Sequence, residues 1–227
     1  MKVGICGLRE PDNICAVSSL GVDMIGFDFC KNSSRYVSLL PSFSGTLPDY
    51  VERNMSDACS SGASIVDKVG IFADDMPQNI ITMAYNYRLD YIQFDGVESA
   101  VMMDNLRSTL NPDICPGIKF IKTIRIGCAD DLRQCDEYIS SADVLLFDVA
   151  KIINSGCFQQ ELLLILSGYD AQLPFMLKGR FTTADALMLK SINHPMFLGI
   201  SLDGSFELSP AVIDVESLKN FLSVIEH

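Results

Sequence analysis

Residues 2–13 read KVGICGLREPDN. The apolar run VGIC at 3–6 has the character of a strand, a glycine and an Arg-Glu pair follow at once, and Pro11 with Asp12 and Asn13 opens a helix. The unit is strand, tight turn, helix, and it recurs along the chain. Further apolar runs lie at 24–29 (MIGFDF), 68–73 (KVGIFA), 91–95 (YIQFD), 118–126 (IKFIKTIRI), 144–148 (VLLFD), 174–178 (PFMLK) and 196–201 (MFLGIS), which makes eight strand candidates. Helical patterns fall at 11–20, about 47–60, 77–87, 98–110, 129–140, 158–168, 182–191 and 214–225. Asp12 and Asn13 are the expected cap of the first, Thr182 and Thr183 of the seventh, and Asp214 with Glu216 of the last.

Near-continuous apolar strands that alternate with helices imply a parallel sheet covered by those helices. Eight such units imply an α/β fold, a single (β/α)8 TIM barrel occupying residues 1–227 as one domain. An open doubly wound sheet shares the local alternation but usually has fewer strands and often a glycine-rich first turn. The first turn here, CGLREP, carries no G-x-G-x-x-G. The loose stretches are 38–48 and 59–65, polar connections around the second helix.

At 227 residues and 48% hydrophobic, the chain can bury a large core. It contains no run of 18 uninterrupted apolar residues and no apolar leader with a cleavage site, so the expectation is a cytoplasmic protein with no membrane association. Eight cysteines without a C-x-x-C pair, the closest being Cys128 and Cys135, argue against structural zinc or a redox dithiol. A net charge of −12 argues against nucleic acid and anionic membrane as partners. An anionic substrate would need a cationic pocket set against that field.

In a barrel, chemistry gathers at the C-terminal ends of the strands. The residues there are Cys6, Asp28, Asp95, Arg125, Asp148, Lys178 and Ser201, an unusual polar load beside a core. Taken alone, Cys6 reads more readily as a core filler and Asp148 as a cap or turn former. Arg35, alone, reads as a surface arginine paired with a nearby acid.

The segments ICGLREPDN, GVDMIGFDF and KNSSRYVS resemble the opening of the phosphoribosylanthranilate isomerases, (β/α)8 enzymes of tryptophan biosynthesis. KVGIFADDMPQNI, LDYIQFDG, VLLFD, GISLDGSFELSP and DVESLKNFL extend the resemblance through nearly the whole chain. It implies an Amadori rearrangement of N-(5-phosphoribosyl)anthranilate to the 1-deoxyribulose form, with neither metal nor organic cofactor. It also implies that Cys6 is the general base, in a setting that lowers its pKa, and that Asp148 is the general acid. Arg35 falls on the substrate-contacting arginine, where a guanidinium fork suits the anthranilate carboxylate. Asp95 and Ser201 fall on substrate-contacting positions. Phosphate is expected between the N–H groups around Gly179 and those of the Asp203, Gly204 and Ser205 turn, with Lys178 or Arg180 as the nearest cation.

The chain departs from the family pattern at several points. QFDG puts Asp95 where a histidine is expected, AKIINSGCFQQ keeps only part of a glycine-rich sixth loop, and KGR stands for S-G-G. Ser201 replaces an aspartate, and Ala211 replaces a glycine after Pro210. Three readings therefore stay open: this isomerase, a related phosphosugar barrel with another substrate, and a barrel that binds a phosphorylated ligand without turnover. The expected partner is a phosphorylated small molecule, and the expected assembly a monomer or homodimer.

Overall fold

The computed structural model describes residues 1–38, 66–170 and 172–226. The second helix candidate and the loose stretches, Ser38 apart, lie outside the described residues.

Eight parallel strands close into a barrel in sequence order: β1 (Lys2–Cys6), β2 (Met24–Asp28), β3 (Asp67–Phe72), β4 (Tyr91–Phe94), β5 (Lys119–Arg125), β6 (Val144–Asp148), β7 (Phe175–Gly179) and β8 (Phe197–Leu202). Each expected strand is present, and β8 pairs back onto β1, which rules out the open sheet. Side chains alternate across the strands. Met24, Val69, Tyr91, Ile121, Val144, Leu146 and Met176 form a packed layer inside the barrel. Their neighbours in sequence, such as Ile25, Ile92, Phe120, Phe147, Phe175 and Leu177, face outward into a second and larger core beneath the helices. By the same alternation, Cys6, Gln93, Thr123, Asp148, Lys178 and Ser201 point into the lumen one step beyond the apolar layer. The lining of the lumen places Cys6, Gln93 and Ser201 beside Met24, Val69 and Met176.

Among the described residues the outer layer contains α1 (Pro11–Ser18), α2 (Pro77–Tyr87), α3 (Ala100–Leu110), α4 (Phe158–Ser167), α5 (Ala186–Lys190) and α6 (Val215–Glu226). None is long and apolar enough to cross a membrane. The fifth helical unit is a 3₁₀ helix, Ala129–Tyr138, rather than an α-helix. Its buried residues are Leu132, Cys135 and Tyr138. They recur every third position, which makes a straight stripe only when each turn holds three residues. The seventh unit likewise splits into a 3₁₀ turn, Thr183–Asp185, and the short α5.

The capping expectations divide. Asp214 accepts the amides of Glu216 and Ser217 and so opens α6, and the Thr182 amide and hydroxyl both donate to Asp185. The first helix differs: Pro11 starts it after Glu10, which makes no side-chain cap. Asn13 instead exchanges two 2.9 Å hydrogen bonds with the backbone of Ile213, tying α1 to the far end of the chain.

The segment after β8, expected as loop, contains an antiparallel hairpin of β9 (Glu207–Ser209) and β10 (Val212–Ile213). Its turn holds Ala211 at φ 68°, a left-handed conformation that costs a β-carbon residue about 1–2 kcal/mol. The Ala211 amide donates to Glu207 Oε1 at 3.1 Å, so the turn also fixes the Glu207 carboxylate.

Candidate active site

At the C-terminal mouth of the barrel, five charged side chains from four segments form one chain of alternating sign. Lys178, on β7, reaches across the lumen and donates to Asp95 Oδ1, just past β4, at 2.8 Å. On its other side the same ammonium stands 3.5 Å from Asp203 Oδ2, just past β8. Asp203 Oδ1 accepts from Arg35 Nη1 at 2.6 Å. Arg35 then forks onto Glu207, with Nε at 2.6 Å and Nη2 at 2.9 Å from its two oxygens. The order is Asp95, Lys178, Asp203, Arg35, Glu207.

Burial makes each link consequential. Burial alone would lower the Lys178 pKa, but Asp95 and Asp203 outweigh it and hold the ammonium above the ordinary lysine range. Burial alone would raise Asp95, and Lys178, with help from Thr123 and Gln93, keeps it below the usual carboxylate range. Arg35 is raised chiefly by its hydrogen bonds to Glu207, against the opposing effect of burial. Three carboxylates and two cations leave this chain of contacts with a net negative charge, so the cationic pocket expected from the sequence does not arise from it.

Cys6 ends β1 and is 6% exposed. Its sulfur lies 3.0 Å from Ser201 Oγ, so Ser201 is a hydrogen-bond partner of the thiol. The expected depressed pKa is corrected here. Burial first and Asp203 second push the Cys6 thiol up to about 12, while Lys178 and Ser201 pull only part of the way back. At neutral pH the resting thiol is protonated.

Asp148 ends β6, half-buried, and its Oδ1 accepts the Ala150 amide at 2.9 Å. In the ladder it stands between Arg125 on β5 and Lys178 on β7, and Lys178 in turn pairs with Ser201 on β8. The row Asp148, Lys178, Ser201 therefore leads from the candidate acid to the thiol's partner.

Arg35 is held by shape as well as charge. Gly7, at φ 81°, lies against it, and a β-carbon there would collide with Arg35 Cδ. On the other side a β-carbon at Gly204 would lie 2.6 Å from Arg35 Nη2 and 2.8 Å from Arg180 Nη2. Two guanidinium groups thus meet over one glycine.

Arg180 is exposed and makes no ion pair among the described residues. Backbone N–H groups of Arg180, Gly204 and Ser205 likewise donate to no acceptor among the described residues. Asp203 differs from its expected phosphate-binding role. Its amide donates to Gly179 O at 3.1 Å and its carboxylate is committed to cations, so neither faces an anion. Ser205 Oγ also donates to Gly179 O, at 3.4 Å.

The structure thus gathers Cys6, Ser201, Lys178, Asp95, Asp203 and Arg35 at one mouth. Glu207 was missed in the sequence. Its only signal was an acid six residues after a strand end, and its role depends on the hairpin that folds it back. A surface depression of the described residues opens at the opposite end, lined by Lys2, Asp67, Tyr91 and Lys119, away from these groups.

No family model matches the chain. Curated relatives do: N-(5'-phosphoribosyl)anthranilate isomerase of Phocaeicola vulgatus is 29% identical over 226 residues, covering 100% of this chain and 98% of the relative. Among solved structures, a phosphoribosyl anthranilate isomerase in complex with reduced 1-(o-carboxyphenylamino)-1-deoxyribulose 5-phosphate superposes with a TM-score of 0.73 at 18% identity, covering 100% of this chain and 98% of that one. The isomerase of Thermotoga maritima gives the same TM-score and coverage at 18% identity. These structural likenesses confirm the barrel. With 31% identity over 227 residues to the N-(5'-phosphoribosyl)anthranilate isomerase of Parabacteroides distasonis, covering 100% of this chain and 94% of the relative, the chain belongs to the N-(5'-phosphoribosyl)anthranilate isomerase family.

Proposed function

We propose that the chain catalyses the Amadori rearrangement of N-(5-phosphoribosyl)anthranilate, with Asp148 as general acid and Cys6 as general base. The observation that supports this most is a thiol and a carboxyl at the ends of β1 and β6, facing one lumen, in a chain related over its full length to these isomerases. Asp148 gives a proton to the furanose ring oxygen. The C1′–O4′ bond breaks as the anilino nitrogen lone pair forms the C1′=N bond, leaving a cationic Schiff base. Cys6 first releases its own proton to solvent and then, as thiolate, removes the C2′ proton; the released electron pair becomes the C1′=C2′ bond of a neutral enolamine as the C1′=N pair returns to nitrogen. Proton return to C1′ and loss of the 2′-hydroxyl proton give the ketone, so no atom or electron is gained or lost overall.

The elevated thiol fits this order of events. A thiolate would be costly in the buried resting site, whereas the Schiff-base cation forms one carbon away from the proton to be removed. That cation stabilises the thiolate left when the thiol proton goes to solvent, and then acidifies the C2′ hydrogen that the thiolate removes. Arg35 has two N–H bonds beyond those given to Glu207 and Asp203, and these suit the anthranilate carboxylate. Phosphate is received by the free amides of Arg180, Gly204 and Ser205 with the Arg180 guanidinium.

The test is to supply phosphoribosylanthranilate and follow the loss of its fluorescence. The expected result is a decay proportional to protein concentration. A rate no higher than the uncatalysed one would overturn the proposal. For the phosphate subsite, inorganic phosphate at a hundredfold excess over its Kd should add about 2.7 kcal/mol of stability against heat, and Arg180→Ala should remove most of that gain.

A related phosphosugar substrate is the second reading. The Asp95–Lys178 pair favours it, because an ion pair fills the lumen where the family pattern has a histidine and a serine. Aldosylamine phosphates built on other amines, compared in the same assay by kcat/KM, separate the two.

A further inference from the structure

Asp95 and Lys178 are two of the positions at which the chain departs from the pattern it resembles, and the fold brings them together at 2.8 Å from strands 83 residues apart. The Lys178 side chain is 8% exposed, and its ammonium lies between two carboxylates on opposite sides of the lumen. Its own strand pairs with β8 at Lys178 and Ser201, and Ser201 Oγ touches the Cys6 sulfur at 3.0 Å. The charged and titratable groups at the same mouth as the thiol are Lys178 from β7, Asp203 after β8, Asp95 after β4, Asp28 and Cys30 at and after the end of β2, Arg35 against Gly7, and Asp148 at the end of β6. Of the cations in this set, Arg35 is occupied by the carboxylates of Glu207 and Asp203.

We propose that Lys178 is a positioning residue for the Cys6 base: clamped across the mouth by Asp95 and Asp203, its ammonium supplies the positive field in which the thiolate forms, and Asp95 sets how much of that field reaches the thiol. This rests on the reading of Cys6 as the base. Lys178 touches no reacting atom in this account. A carboxylate at 2.8 Å neutralises most of an ammonium's field at a distance, so removing the Asp95 charge exposes the thiol to a stronger cation, and removing the Lys178 charge leaves it facing carboxylates alone. The signs agree with the charges: Lys178 favours the thiolate, and Asp203 and Asp95 oppose it.

The experiment follows alkylation of Cys6 by iodoacetamide from pH 7 to 10, read from the mass of the peptide that contains it, in the folded full-length chain without substrate. Lys178→Met should slow the reaction about tenfold or more at each pH, and Asp95→Asn should speed it by about tenfold, one pKa unit either way. Lys178→Arg should restore the wild-type rate to within a few-fold. Greater exposure of the thiol through loosened packing would speed both variants, so opposite displacements support the proposal, and displacements of the same sign or none overturn it. Should Lys178→Met fail to fold, the nearly isosteric Asp95→Asn decides: no acceleration overturns the proposal. Activity is measured in parallel. A wild-type chain that does not isomerise phosphoribosylanthranilate yet shows the opposite displacements would overturn the functional reading and leave the charge coupling supported.

Discussion

A thiol held at about 12 makes an unusual base, and its pH dependence follows from the sign of that shift. Below its pKa the thiolate fraction rises tenfold per pH unit, so kcat/KM is expected to climb with slope near one between pH 7 and 9. A profile flat over that range would remove the free-enzyme thiol from the rate. Cys6→Ser should lower kcat by about a hundredfold or more, since general-base catalysis is typically worth 10²–10⁴. Activity within a few-fold of wild type would exclude Cys6 as the base. Arg35 offers a second residue-scale test, because three of its N–H bonds are already spent on orienting it. Arg35→Lys keeps the charge and loses the fork, so KM should rise about tenfold, the equivalent of about 1.4 kcal/mol, with a smaller change in kcat. A change confined to kcat would place the arginine in the chemical step rather than in carboxylate binding.

At the scale of elements, the mouth depends on an ion pair outside the barrel. Lys122 points outward from β5 and meets Glu98 at 3.2 Å, and both side chains are 3% exposed. The ammonium also donates to Gly96 O at 2.7 Å, and Glu98 Oε1 accepts the Asp74 amide at 2.7 Å. One buried pair therefore pins the loops after β3 and β4 against β5, including the segment that carries Asp95. Lys122→Met would leave Glu98 buried without its cation and should destabilise the fold by about 3–5 kcal/mol in urea unfolding. Adding Glu98→Gln should recover much of that loss, and strictly additive losses would contradict the pairing. Nothing in IKFIKTIRI marks Lys122 as buried, because a lysine within an apolar strand reads the same whether its partner is solvent or a glutamate 24 residues earlier. The strands themselves were legible, since a barrel strand is apolar on both faces and stands out as a run. The 3₁₀ unit was not, because at 3.6 residues per turn Leu132, Cys135 and Tyr138, though not in a straight row, still fall within one broad helical face. Cys6, Asp148 and Arg35 could be singled out at strand ends with matching flanks. The link from Asp95 to Lys178 could not, because it depends on which strands face each other across the lumen and on side-chain reach.

For the molecule as a whole, the shifted groups set where in pH the fold is most secure. Cys6 and Cys135 are both buried and both pushed up to about 12, the former by burial and Asp203, the latter by burial and Asp136. A thiol whose pKa is raised on folding contributes stability that is fully present below the unfolded value, about 8.5, and is lost as pH rises through the folded one. Lys178 is raised as well, so its contribution has the same sign and is lost above about pH 10.4. Asp95 is lowered, and its contribution is present above about pH 3.9 and lost on acidification. The plateau should therefore run from about pH 5 to about pH 8.5, with a decline on the alkaline side. Each buried thiol removes about 1.4 kcal/mol per pH unit above that point, and two together should lower Tm by roughly 6–10 °C per unit for a chain of this size. The net charge of −12 adds repulsion as lysines lose their protons, so the slope alone does not identify the thiols. Cys135→Ala separates the two causes: it leaves the charge at neutral pH unchanged and removes one of the titrating sulfurs, which include Cys30 as well as Cys6 and Cys135, so the decline of Tm between pH 9 and 10.5 should become measurably shallower. An unchanged slope would assign the alkaline loss to charge repulsion, and a Tm constant to pH 10.5 in the parent chain would refute the buried-thiol account altogether.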